Sequence, residues 1–191
     1  MTLAIGIAGP MRSGKETAQK LLRAKFEELG HNVEAHAFSD VVRETCDLWH
    51  QPRTRESQQG IVVKLRELWG ADVLARVVKA RVLNSKSNVV IVDGLRWPDS
   101  DHDVIRGPSN NYLIYIDAPA EVRWRRSTMN ADKPDEARAS FVEFLAKDKA
   151  PNEIEIHKFK DLANYVIDNS TDSFDNLERQ VNDIFHKILN R

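Results

Sequence analysis

The chain has 191 residues, 41% apolar and 30% charged, which is enough for one domain with a real core, and no apolar run approaches the roughly 18–20 residues that cross a bilayer. Lys and Arg number 28 against 29 Asp and Glu, a net charge of −1 that argues against a nucleic-acid partner, and the single cysteine, Cys46, excludes an intrachain disulfide. The N-terminus reads straight into a strand with no basic, cleavable apolar leader, so the expected location is the cytoplasm.

Leu3–Ala8 is a short apolar run and reads as a buried strand. It leads into Gly9-Pro10-Met11-Arg12-Ser13-Gly14-Lys15-Glu16-Thr17, where Gly9 and Gly14 frame four residues and a lysine follows at once. This G-x-x-x-x-G-K spacing is that of a phosphate-binding loop. Glycines let main-chain N–H groups turn inward around a polyphosphate, and the next helix points its positive end at the same anion. Lys15 adds a point charge that can follow a phosphoryl group in flight. The candidate nucleotide-binding residues are therefore Gly9, Arg12, Ser13, Gly14, Lys15, Glu16 and Thr17. Glu16 stands where a hydroxyl residue usually ligates Mg²⁺, with Thr17 one place later. Either Glu16 holds the metal or Thr17 serves the phosphates, and the spacing leaves both open.

Thr17–Leu29 has helical periodicity and ends at Gly30, and Val33–Phe38 is a second strand. Ser39 reads as the N-cap of a helix carrying Val41, Val42, Cys46 and Trp49. Gln51–Arg55 is a polar break, and Glu56–Leu83 is helical, divided near Gly70 and Asp72. Asp40, Arg43, Arg53 and Arg55 flank these elements; arginines there suit a phosphate-bearing acceptor, and Asp40 could orient its hydroxyl.

Val89–Val92 is the most apolar run and suits a central parallel strand. It ends in Asp93-Gly94, which makes Asp93 a candidate for positioning Mg²⁺; Arg96, three residues on, can reach over the same edge to a phosphate. Asn111–Asp117 is a further strand. Pro119 opens a helix bearing Arg123 and Arg126, three apart on one face, where they can neutralise charge during phosphoryl transfer. The polar stretch Met129–Asp135, with Asp132 and Lys133, could close over a nucleotide. Ser140 and Glu143 have capping-box spacing, Tyr165–Ile167 is a last strand, and Ser173 caps a final amphipathic helix. The six histidines show no metal-ligand spacing, and there is no Gly-x-Ser-x-Gly elbow.

Five strands separated by helices predict an α/β doubly wound five-stranded parallel sheet, with ligands past the carboxyl ends of the strands. Residues 1–191 read as one domain, with 38–85 the acceptor-binding helical part and 119–150 the lid region.

The loop Gly-Pro-Met-Arg-Ser-Gly-Lys-Glu-Thr resembles that of the P-loop nucleoside and deoxynucleoside monophosphate kinase superfamily. Ala37-Phe38-Ser39-Asp40, Arg53-Thr54-Arg55-Glu56 and Asp93-Gly94-Leu95-Arg96 are similar to the acceptor-side elements of that superfamily and of its dephospho-coenzyme A kinase-like relatives. Ile116-Asp117-Ala118-Pro119 through Arg126 is similar to the segment entering their lid, and Val166-Ile167-Asp168-Asn169 to the strand and loop near the adenine ring. The resemblance implies an ATP- and Mg²⁺-dependent phosphotransferase that moves the γ-phosphoryl group to a nucleoside or deoxynucleoside monophosphate. A dephospho-coenzyme A kinase-like activity and a nucleotide-binding regulatory ATPase are the alternatives. By that analogy Lys15 and the loop amides hold the donor phosphates, Asn169 lies near the base, and Asp93 helps place the metal. Arg55 and Arg96 grip the acceptor, Asp40 sits beside it, and Arg123 and Arg126 belong to the lid. Partners are then a small phosphorylated acceptor and no membrane, in a monomer or homodimer. Trp97 departs from the smaller residues of many relatives.

Overall fold

In the computed structural model, the described residues are 2–129, 139–150 and 153–190. Five strands, β1 (Leu3–Ala8), β2 (Val33–Ala37), β3 (Val89–Asp93), β4 (Asn110–Asp117) and β5 (Tyr165–Asp168), form one sheet in the order β2-β3-β1-β4-β5. Every pairing is parallel, with Ile7 opposite Asp93, Ala8 opposite Tyr115 and Asp117 opposite Asp168. The doubly wound five-stranded sheet expected from the strand–helix alternation is the observed one. β1, β3 and β4 occupy the middle because their apolar runs are covered on both faces; β1 is buried at all six positions.

Two cores flank the sheet. On one face, α2 (Phe38–Leu48), α4 (Val73–Asn84) and α5 (Pro98–Ile105) pack with Val90, Val92, Leu113 and Tyr115. On the other, α1 (Lys15–Glu28) and α9 (Phe174–Leu189) cover Ile5, Ile7, Ile91 and Ile114, with Phe26 and Phe185 edge-to-face at 5.0 Å between ring centres. The remaining helices are α3 (Arg55–Trp69), α6 (Ala120–Met129), α7 (Phe141–Asp148) and the short α8 (Phe159–Leu162), which follows a 3₁₀ turn at Ile156–Lys158.

Local chemistry sets the boundaries. Thr54 Oγ1 caps α3 by accepting from Ser57 N at 3.1 Å, and Ser140 and Glu143 form the reciprocal capping box that opens α7. Two readings change. α2 starts at Phe38 and is capped at Ala37 rather than Ser39, because Asp40 reaches back to accept from Ala37 N at 3.0 Å while Phe38 turns into the core. Residues 98–105, not assigned to any element from sequence, form α5.

Candidate active site

The loop between β1 and α1 takes backbone conformations that its glycines permit. Gly9 has φ +149° and Gly14 φ +104°, and the non-glycine Arg12 has φ +63°. A Cβ on Gly9 would lie 2.4 Å from the Ile116 carbonyl oxygen, and one on Gly14 would lie 2.4 Å from Asn169 Nδ2. Both glycines are thus fixed by close approach as well as by φ. Asn169, which is buried, donates from Nδ2 to Ser13 O at 2.7 Å and ties the loop after β5 to the first loop. Ser13 is fully buried, and its hydroxyl makes no hydrogen bond among the described residues. The glycine-framed cradle, this buried hydroxyl and the adjacent lysine form a donor-rich set that fits a polyphosphate.

Lys15 Nζ folds over the loop and donates to Pro10 O at 2.9 Å. Burial pushes its pKa down from 10.5 to about 8. The charges of Asp93 and Glu153 oppose that shift, and those of Arg96 and Arg123 add to it. Four charged side chains from four segments therefore act on this one ammonium group.

Asp93 ends β3 half-buried, with Oδ1 accepting from Gly94 N at 2.6 Å. Glu16 lies on the exposed side of α1 and pairs with Lys20 at 2.7 Å. Among the described residues no group of three or more His, Cys, Asp or Glu is placed to hold a metal. A Mg²⁺ ion that keeps its waters and takes one or two carboxylates plus substrate phosphates needs no such cage, and Asp93 at the loop's edge fits that pattern.

A cleft of about 680 Å³ opens beside the loop, lined by Lys15, Thr17, Asp93, Arg126, Asn169 and Phe174 among others. Exposed Met129 and Phe174 offer apolar surface there. Arg126 donates to the carbonyls of Asn169 and Thr171 at 3.0 and 2.7 Å and pairs with Asp172 at 3.1 Å. Arg123 is almost wholly buried. Its guanidinium grips Asp148 in a bidentate pair at 2.6 and 2.7 Å and also donates to Ala118 O and Met11 O.

Beyond β3, Arg96 pairs with Glu153 at 2.6 Å, and the charges of both act on Lys15. Its amide and that of Trp97 donate to Asp101 Oδ2 at 2.7 and 3.0 Å. The Arg66 guanidinium stacks over Trp97 at 3.9 Å, joining α3 to this segment. Asp40 accepts from Arg43 at 2.9 Å while capping α2, and Arg53 pairs with Asp47. The side chain of Arg55 and the loop residues Asp132 and Lys133 lie outside the described residues. Sequence reasoning missed Asp101, Asp148, Glu153 and Asp172. Each sits in an ordinary polar stretch and acquires a role only from an arginine or amide brought to it by the fold.

No family model matches the chain. Among curated proteins it is 27% identical over 191 residues to a UPF0200 protein of Pyrococcus horikoshii, covering 98% of this chain and 96% of that one. It is 23% identical to a UPF0200 protein of Saccharolobus solfataricus, covering 96% and 92%. Among solved structures it is similar to shikimate kinase from Bacteroides thetaiotaomicron, with a TM-score of 0.64, 18% identity and 99% of each chain covered. Shikimate kinase from Acinetobacter baumannii in complex with shikimate gives a TM-score of 0.56, 16% identity and coverage of 100% and 94%. Among the described residues no helix is long and apolar enough to cross a membrane. With its five parallel strands, flanking helices and glycine-framed loop after β1, the chain has the α/β fold seen in small P-loop kinases such as shikimate kinase.

Proposed function

We propose that this protein is an ATP- and Mg²⁺-dependent phosphotransferase that moves the γ-phosphoryl group to a nucleoside or deoxynucleoside monophosphate. The observation that carries the reading is the Lys15 ammonium, half-buried at a glycine-framed loop and acted on by Asp93, Arg96, Glu153 and Arg123. The kinases among its structural neighbours support the transfer chemistry, and the arginine set supports a phosphate-bearing acceptor.

In this reading the amides of Gly9–Gly14 and Lys15 hold the donor phosphates, and Arg12, Ser13 and Thr17 complete the cradle. Asp93 and Glu16 would hold Mg²⁺, which would supply charge neutralisation to the donor phosphates. Lys15 tracks the transferring group. Arg126, which lines the cleft, is assigned to the developing charge, where an arginine is worth about 10³–10⁵ in rate in phosphoryl-transfer enzymes, and Arg123 supports it from beneath the loop. Asn169 positions the loop against the base side, where Met129 and Phe174 offer apolar surface to a ring. Arg96, Arg55 and Arg43 bind the acceptor phosphate, and Asp40 orients the acceptor.

One observation favours a second reading, an ATPase without an acceptor: Asp40 and Arg96 are both engaged by protein charges, Arg43 and Glu153. A coupled assay separates the readings. Purified protein with ATP and Mg²⁺ is offered nucleoside and deoxynucleoside monophosphates, dephospho-coenzyme A and shikimate. The expected outcome is transfer to one monophosphate, and Lys15→Ala lowers it by about 10³-fold while circular dichroism stays unchanged. Transfer to dephospho-coenzyme A or shikimate alone overturns the nucleotide acceptor. Hydrolysis with no phosphorylated acceptor overturns the kinase.

A further inference from the structure

Glu153 is an acid that no motif announces. It lies in the turn after α7, its amide donating to Ala150 O at 2.8 Å, and its side chain is only 8% exposed. A buried carboxylate is costly unless a cation compensates it. One compensating partner is Arg96 Nη1 at 2.6 Å, across 57 residues of sequence. The pair is not remote from the loop, because both of its charges act on the Lys15 ammonium. Lys15, Arg96 and Arg123 thus stand with Asp93 and Glu153 in one group of three cations and two anions. A guanidinium close enough to act on the loop lysine is already held by a carboxylate. Carboxylate and phosphate compete for the same planar fork, since both present paired oxygens to it.

We propose that Glu153 is a built-in surrogate for the acceptor's phosphate: it occupies Arg96 until that phosphate takes its place. The proposal rests on the reading of Arg96 as a ligand of the acceptor. Its effect is selective. A bare phosphate has only its own charge with which to displace Glu153. A phosphate carried on a larger acceptor brings further contacts that help to make the exchange favourable. Glu153 therefore sets a threshold that admits the whole acceptor and turns away small anions.

The test is binding, not turnover. Inorganic phosphate is titrated calorimetrically into the full chain, as wild type and as Glu153→Gln. The variant is expected to bind phosphate about tenfold more tightly, the factor that about 1.4 kcal/mol of lost competition gives. Adding Arg96→Ala should erase that gain, while in the wild type the same change has a much smaller effect. Unchanged or weaker phosphate binding in Glu153→Gln overturns the proposal and makes Glu153 a prop that holds Arg96 in place. If the variant does not fold, the wild type is crystallised with phosphate on Arg96. A Glu153–Arg96 separation beyond 4 Å supports exchange, and an intact pair overturns it. Failure to phosphorylate any acceptor refutes the kinase reading and leaves this binding comparison fully readable.

Discussion

Lys15 carries a charge that the folded protein pays to keep. Its pKa falls from 10.5 to about 8, first because of burial, so the unfolded chain binds the proton more tightly than the folded one. Below pH 8 both states are protonated and the full penalty is present. Between pH 8 and about 10.5 the folded state has lost its proton while the unfolded state retains it, so this group makes stability rise with pH. Lys15→Met keeps the stem and removes the charge. It is expected to stabilise the protein by about 1–3 kcal/mol at pH 7, after allowance for partial solvent access, with the advantage fading toward pH 10.5. Urea unfolding at pH 7 and 10 checks both parts, and a less stable variant at pH 7 refutes the account. A polyanion placed at the loop would raise the lysine's pKa again, so, on the proposed function, adding ATP near pH 8 is expected to take up protons, which calorimetry in buffers of different ionisation enthalpy reads directly.

At the scale of elements, α5 shows how one side chain can organise a segment. Asp101 is 1% exposed, and burial raises its pKa despite the amides of Arg96 and Trp97 and the Ser100 hydroxyl that donate to it. These bonds fix the helix start and hold the backbone of Arg96 and Trp97. Asp101→Ala strands two amides and is expected to cost about 2–4 kcal/mol; Asp101→Asn keeps an acceptor oxygen and sheds the charge, so it should cost much less. Chemical denaturation of both variants distinguishes the amide role from a charge role, which would make the two losses equal. The same segment explains where the sequence was silent. The five strands and the loop after β1 were legible because apolar runs and glycine spacing are local signals. α5 was not, because Pro98-Asp99-Ser100-Asp101-His102-Asp103 has the composition of a loop and becomes helical through Asp101 reaching back to 96 and 97 and through Val104 and Ile105 entering the core. Asp40 reads as an acceptor group from its place after β2, yet its carboxylate also caps α2. Local spacing cannot reveal Glu153, whose partner is 57 residues away.

Across the molecule, the buried Arg123–Asp148 pair acts as a brace. Arg123 links the β1–α1 loop at Met11, the end of β4 at Ala118 and the end of α7 at Asp148. Removing one partner leaves a buried charge alone, so Asp148→Ala is expected to destabilise the protein by about 2–4 kcal/mol. Thermal unfolding measures the loss. A change below about 0.5 kcal/mol would mean that water replaces the carboxylate without cost, as it does for surface pairs. The loop's other clasp has a temporal meaning. Gly14 meets Asn169, whose amide secures Ser13, so the first six-residue turn of the chain is finished by a residue made 155 positions later. During synthesis the ribosome delivers the cradle early and its fastener late. A growing polypeptide has every residue from Gly9 to Lys15 long before Asn169 is made, and only emergence of the last strand and its loop lets the Ser13 carbonyl be tied down.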